Sequence, residues 1–274
     1  MHSDDTRTAT DRLREDYLKL LGMNKPEQVY QSFLEKNTQL IPDEFVQNHG
    51  LHFGLVLRKL GFGSDYKCDF FYMSKSSDDW NLVFIEIEKL RSRFFRGDSN
   101  DFDAAFNTAL QQIGRWRAWL SQPANLGAFL ETIEPIRLPH IMRRNPSYPK
   151  FVLVHGRRDE YAGNDQRRGM IRAQERDDFK IISFDSLAEN LHNKHECYIG
   201  VRHNETIHIQ GDRMVAPDLF GWIEPTQFSG NKVLQAAIRG GGWQVRRFDG
   251  TKFIDAFTYV ADRIRVVEGH RPDR

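Results

Sequence analysis

Apolar residues return at helical spacing near the start of the chain and at a spacing of two further in, and this change of period divides the sequence. Over residues 7–23, Leu13, Tyr17, Leu20 and Leu21 share one face of a helix, which Asn24, Lys25 and Pro26 end. Pro26 and Glu27 open a second helix with Val29, Phe33 and Leu34 on its apolar face, ending near Lys36 before Ile41 and Pro42 break the pattern. Glu35 lies near its end, turned away from Phe33. From Leu51 the period falls toward two in HFGLVLRKLGF, DYKCDFFYM and WNLVFIEIE, which predicts a meander of three strands. The polar run from Ser74 to Asp79 supplies the hairpin turn between the last two.

After a turn at Arg96, Gly97, Asp98, Ser99 and Asn100, the stripe Phe106, Ala109, Ile113, Trp116 and Leu120 predicts a long amphipathic helix. A loop rich in proline (Pro123, Pro135, Pro139, Pro146, Pro149) leads into FVLVHGR, a continuous apolar run of the kind found in buried parallel strands. A polar helix over 164–176 and the strand KIISFD complete a βαβ pattern, so the fold class is α/β. Beyond residue 195, CYIGVRH and TIHIQ read as strands, 232–239 as a helix, and 253–265 as either a helix or a strand. The expected organisation is an N-terminal helix through residue 25, a core over 26–192 and a C-terminal extension over 193–274, either apart or packed on the core as one domain.

Composition narrows the class without naming an activity. A chain of 274 residues, 39% hydrophobic and 28% charged, can bury a full core. Cys68 and Cys197 lie far apart without zinc-site spacing, which predicts reduced thiols in a cytoplasmic protein. The polar N-terminus and the lack of a long apolar run predict no membrane or secretory segment. A net charge of +1 excludes strong attraction of the whole molecule to nucleic acid. Arginines nevertheless gather between Arg91 and Arg176, either to neutralise phosphates or as an ordinary solvated surface.

The candidate chemistry sits in LVFIEIEK. Alternation puts Val83, Ile85 and Ile87 on one face and Phe84, Glu86 and Glu88 on the other. With the turn centred between Ser77 and Asp78, Asp69 falls opposite Glu86, Phe71 opposite Phe84 and Lys67 opposite Glu88. Three carboxylates on one spot repel each other, and a hard divalent cation such as Mg2+ or Mn2+ would relieve them. The alternative is a solvated outer face with Lys67 as a cross-strand partner. Placement of both glutamates in an apolar run, where a sheet face is normally covered, favours the cation site.

The segments FLEKNTQLIP, FGSDYKCDFFYMS, VFIEIEKL, FFRGDSNDFDAAFNTALQQIGRWRAWL, FVLVHGRRDE and IISFDSL resemble blocks of the Shedu-type antiphage nucleases, a branch of the PD-(D/E)xK superfamily. The resemblance implies a restriction-endonuclease-like core with a mixed sheet flanked by helices, and a metal-dependent endonuclease that cuts double-stranded DNA as a homo-oligomer. By position it implies Asp69, Glu86 and Glu88 as metal ligands, joined by Glu35 and Gln112. Glu88 stands where the superfamily most often has lysine, so either Glu88 assists the nucleophile or Lys67 replaces the missing amine. Gln112 and Trp116, one helical turn apart, are similar to a pair in RecB-like nucleases of that superfamily. Arg93, Arg96, Arg115, Arg157 and Arg158 are the candidate DNA contacts, the last two because sites gather at strand ends in α/β sheets. A DNA-end-binding module with little turnover is the second reading. Cys68 is expected to be buried, His140 and His155 to be loop and strand residues, and Gly240–Gly242 to be a flexible turn.

Overall fold

A computed structural model of the chain describes residues 2–23, 25–138, 140–204, 206–210 and 227–230, together with the strands within 243–268. Helices α1 (His2–Gly22) and α2 (Glu27–Lys36) precede β1 (Leu51–Arg58), the short strands β2 (Gly61–Phe62) and β3 (Tyr66–Lys67), β4 (Phe70–Lys75) and β5 (Trp80–Ile87). There follow α3 (Ala104–Leu120), α4 (Pro123–Thr132), β6 (Ser147–Val154), α5 (Asp165–Arg172) and β7 (Phe179–Ile182). Next come β8 (Tyr198–His203), β9 (Thr206–Ile209) and β10 (Phe228–Gly230), then β11 (Trp243–Phe248), β12 (Phe253–Val260) and β13 (Arg263–Glu268).

Eight strands form one mixed sheet in the order β10-β9-β8-β1-β4-β5-β6-β7. The meander β1-β4-β5 is antiparallel, and β5-β6-β7 are parallel, as the βαβ pattern requires. Part of the expected C-terminal extension, β8 to β10, continues this sheet, while β11, β12 and β13 form an antiparallel sheet of their own. The described residues of the segment 253–265 are thus strand, and the expected helix at 232–239 and turn at Gly240–Gly242 lie outside the described residues.

Both faces of the large sheet are covered. On one, Phe71, Phe84 and Phe151 pack against Phe106, Ala109, Ile113, Trp116 and Leu120 of α3, the whole stripe that spacing predicts. On the other, Val83, Ile85, Val152 and Val154 pack against Tyr17, Leu20 and Leu21 of α1 and Tyr30 and Leu34 of α2. Every residue of β5 except Glu86 is buried. This strand lies inside the sheet, so the solvated-face alternative for its acids does not hold.

Three local expectations change. The buried residues of α2 are Tyr30 and Leu34, with Phe33 packed beside them as expected, while Val29 is 40% exposed and Tyr30 takes its place, its hydroxyl accepting from Lys25 N–H at 2.8 Å. The proline-rich loop contains α4, since Pro123 at its first position has no N–H to lose there and Phe129 buries against the sheet. The first predicted strand also breaks, because Lys59 adopts φ +48° between β1 and β2.

One glycine is fixed by space as well as by conformation. Gly156, just after β6, has φ +59°, and a Cβ there would lie 2.6 Å from the Phe94 ring. Gly156→Ala is expected to lower stability by about 2 kcal/mol, read by urea denaturation.

Candidate functional site

The expected register holds at its centre: Phe71 pairs with Phe84 and Phe70 with Ile85, and Asp69 N–H donates to the Ile85 carbonyl at 3.0 Å. Asp69 therefore meets the end of β5 beside Glu86. Asp69 is only 6% exposed, and its Oδ2 accepts from Ile87 N–H at 2.8 Å. Its Oδ1 takes the Lys59 ammonium and a long 3.5 Å bond from the Gln31 amide on α2. Glu86 points to the α3 side, where Gln112 Nε2 donates to its Oε1 at 2.7 Å.

Burial first, then Asp69 and Glu88, push the Glu86 carboxyl up to about 9, against Gln112 and Lys59, which favour the charged form. Glu88 is also raised, first by burial and then by Asp69 and Glu27, against an N–H bond from Lys89. Glu35 rises for the same leading reason, with Arg58 and Lys59 opposing and Asp69 adding. Arg58 binds Glu35 twice, Nε to Oε1 at 3.1 Å and Nη1 to Oε2 at 3.1 Å. The sequence-predicted set Asp69, Glu86, Glu88, Glu35 and Gln112 therefore shares one electrostatic neighbourhood.

Lys67 does not join them. At Asp69 the chain leaves β5 but keeps its ladder with β1: Lys59 N–H donates to the Asp69 carbonyl at 2.8 Å, and Gly61 pairs with Lys67 in the β2-β3 hairpin. Lys67 is carried outward and exposed instead of facing Glu88. Lys59, which the period gave no reason to select, is the amine at the acids. Sequence reasoning also missed Glu27 and Gln31, which with Glu35 form an i, i+4, i+8 polar stripe on α2. That spacing was the signal that could have found them.

The arginines divide. Arg96 and Arg115 are exposed. Arg93 stands 3.5 Å from Glu160, Arg157 forks onto Asp185 at 3.0 and 2.8 Å, and Arg158 pairs with Glu189 at 2.6 Å. Arg157 and Arg158 thus brace the turn at 184–188. His155 is buried with Nε2 3.0 Å from the Arg93 carbonyl, and Cys68 is buried as expected. His140 lies in a 3-10 turn.

The donors around Glu86 are all oxygens, which suits a hard cation. Among the described residues, no group of three or more His, Cys, Asp or Glu side chains already stands in cation-holding geometry. Asp69 Oδ1 is shared with Lys59, so a bound cation would have to draw the carboxylates closer.

A mixed sheet covered on both faces, with buried carboxylates where an inner strand ends, defines an α/β protein with an acidic centre at the rim of its sheet. The chain belongs to the family described as Shedu protein SduA, C-terminal, whose model matches residues 24–188. Membership links it to antiphage defence. The matched span holds Glu35, Asp69, Glu86, Glu88 and Gln112. Comparison with curated proteins gives no match. Among the described residues, no helix is long and apolar enough to cross a membrane.

Proposed function

We propose that the chain is a metal-dependent DNA endonuclease with a PD-(D/E)xK core, acting in antiphage defence on double-stranded DNA. Asp69, Glu86 and Glu88 would hold Mg2+ or Mn2+, with Glu35 and Gln112 supporting them. The observation that carries this reading is Glu86: it is the one residue of β5 not fully buried, and its carboxyl is held far above the usual range beside Asp69. Crowded buried acids cost stability unless something positive binds there, and a fold keeps such a cost where function needs it.

A divalent cation would supply Lewis-acid stabilisation of the charge that builds on a phosphodiester during hydrolysis. The chain's own residues prepare the place. Gln112 orients Glu86 and favours its charged form, while Ile87 N–H fixes the Asp69 carboxylate. Glu88 is the candidate to take a proton from the attacking water, because burial and the neighbouring Asp69 raise its carboxyl's affinity for protons. The exposed Arg96 and Arg115 are the candidates for phosphate contacts.

Plasmid DNA incubated with the protein and Mg2+ or Mn2+ tests this: nicking that stops with chelator supports it, and intact plasmid under all conditions refutes it. Gln112→Ala should weaken Mn2+ binding at neutral pH by about tenfold, measured by calorimetric titration, because the amide that favours ionised Glu86 is gone. A second reading, a DNA-binding module with little turnover, is favoured by one observation: both Asp69 oxygens already have partners. Retarded DNA without cutting in a gel shift would select it.

A further inference from the structure

The Lys59–Asp69 pair has a role to assign. In a regular strand, Arg58 and Lys59 would point to opposite faces of the sheet. Here Lys59 takes φ +48°, a left-handed conformation that an L side chain rarely adopts, and this turn brings both neighbours to the same acids. Arg58 reaches Glu35, and Lys59 reaches Asp69. The backbone of Lys59 is tied to the same residue, its N–H donating to the Asp69 carbonyl at 2.8 Å. The kink is therefore anchored at the place where it delivers the amine.

The two partners differ in exposure. The Asp69 side chain is 8% exposed and the Lys59 side chain 36%, so the ammonium enters from the solvent side over a flexible stem. Asp69 Oδ2 accepts from the backbone N–H of Ile87, whereas Oδ1 is held by the Lys59 ammonium and a long bond from Gln31, so Oδ1 is the oxygen whose charged partner a cation can replace. An ammonium and a divalent ion on one carboxylate oxygen repel each other.

From this geometry we infer that Lys59 is an exchangeable counter-ion: it neutralises Asp69 until a divalent cation displaces it, and the freed ammonium then faces the anionic substrate. The inference rests on the nuclease reading of the site and adds its regulation. Lys59 opposes cation binding and assists cleavage of the bound strand, so its removal should move the two in opposite directions. A lysine that only stabilised the fold would weaken both together.

The test uses the full chain, with Lys59→Met, which keeps the stem, and Lys59→Arg, which keeps the charge. Mn2+ binding without DNA is followed by electron paramagnetic resonance, single-turnover plasmid cleavage is measured at saturating Mn2+, and melting is recorded with and without Mn2+. Lys59→Met is expected to bind Mn2+ about five- to tenfold tighter than wild type and to gain more thermal stability from it, yet to cleave at least about tenfold more slowly. Lys59→Arg should bind Mn2+ as weakly as wild type. Equal or weaker Mn2+ binding by Lys59→Met, or cleavage at the wild-type rate, overturns the inference while the nuclease reading stands. Wild-type protein that binds no Mn2+ and cuts nothing overturns the nuclease reading, and this inference with it.

Discussion

Glu86→Gln is expected to cut plasmid DNA on the order of 1000-fold more slowly than wild type in Mg2+, while melting about 2–4 °C higher in chelator at pH 8. The two effects share one cause. The carboxylate offers the charge a cation needs, and without the cation the folded chain at pH 8 must hold a proton on Glu86 that the unfolded chain has released. The amide keeps the shape and needs no proton. A variant damaged in folding would lose cleavage and melt lower, so the opposite signs separate loss of the site from loss of the protein. Cleavage retained by Glu86→Gln would end the nuclease reading.

The second large effect concerns pH. The Glu86 carboxyl titrates near 9 in the folded chain against the usual 4.5, so the folded state holds a proton that the unfolded chain has released. Its contribution to stability is complete below about 4.5 and declines as pH rises through the window toward 9. Glu88 and Glu35 are raised as well and act in the same direction. In chelator, the melting temperature should therefore fall between pH 5 and pH 9, with a loss on the order of a few kcal/mol. Saturating Mg2+ should flatten that slope, because the cation binds the ionised acids and releases their protons. A melting temperature that stays level from pH 5 to pH 9 in chelator would contradict the burial of Glu86 as a charge-averse group.

Much of this site is legible in period and turn chemistry. Strict alternation in LVFIEIEK and a polar turn before it are enough to pair Phe71 with Phe84 and to bring Asp69 to Glu86. The five apolar positions of α3 set that helix against the sheet and so aim Gln112 at Glu86. The illegible part traces to a single backbone angle. Nothing in RKLGF marks Lys59, rather than the glycine after it, as the residue that turns left-handed, so an unbroken strand gives its place to Lys67. Likewise, Pro123 stands among loop-forming prolines, and only its position at the start of a helix shows why it is tolerated there.

The first helix carries a consequence for how this family is delimited. The matched span starts at residue 24, yet upstream Tyr17 is fully buried, stacks on Phe33 and donates its hydroxyl to the Phe184 carbonyl at 3.0 Å. Recurrence of sequence among relatives and mechanical completeness thus part company here. A chain trimmed to the recurrent segment would lose the cover over one face of its large sheet, and whatever that segment does alone, it does with an apolar surface bared that α1 buries here.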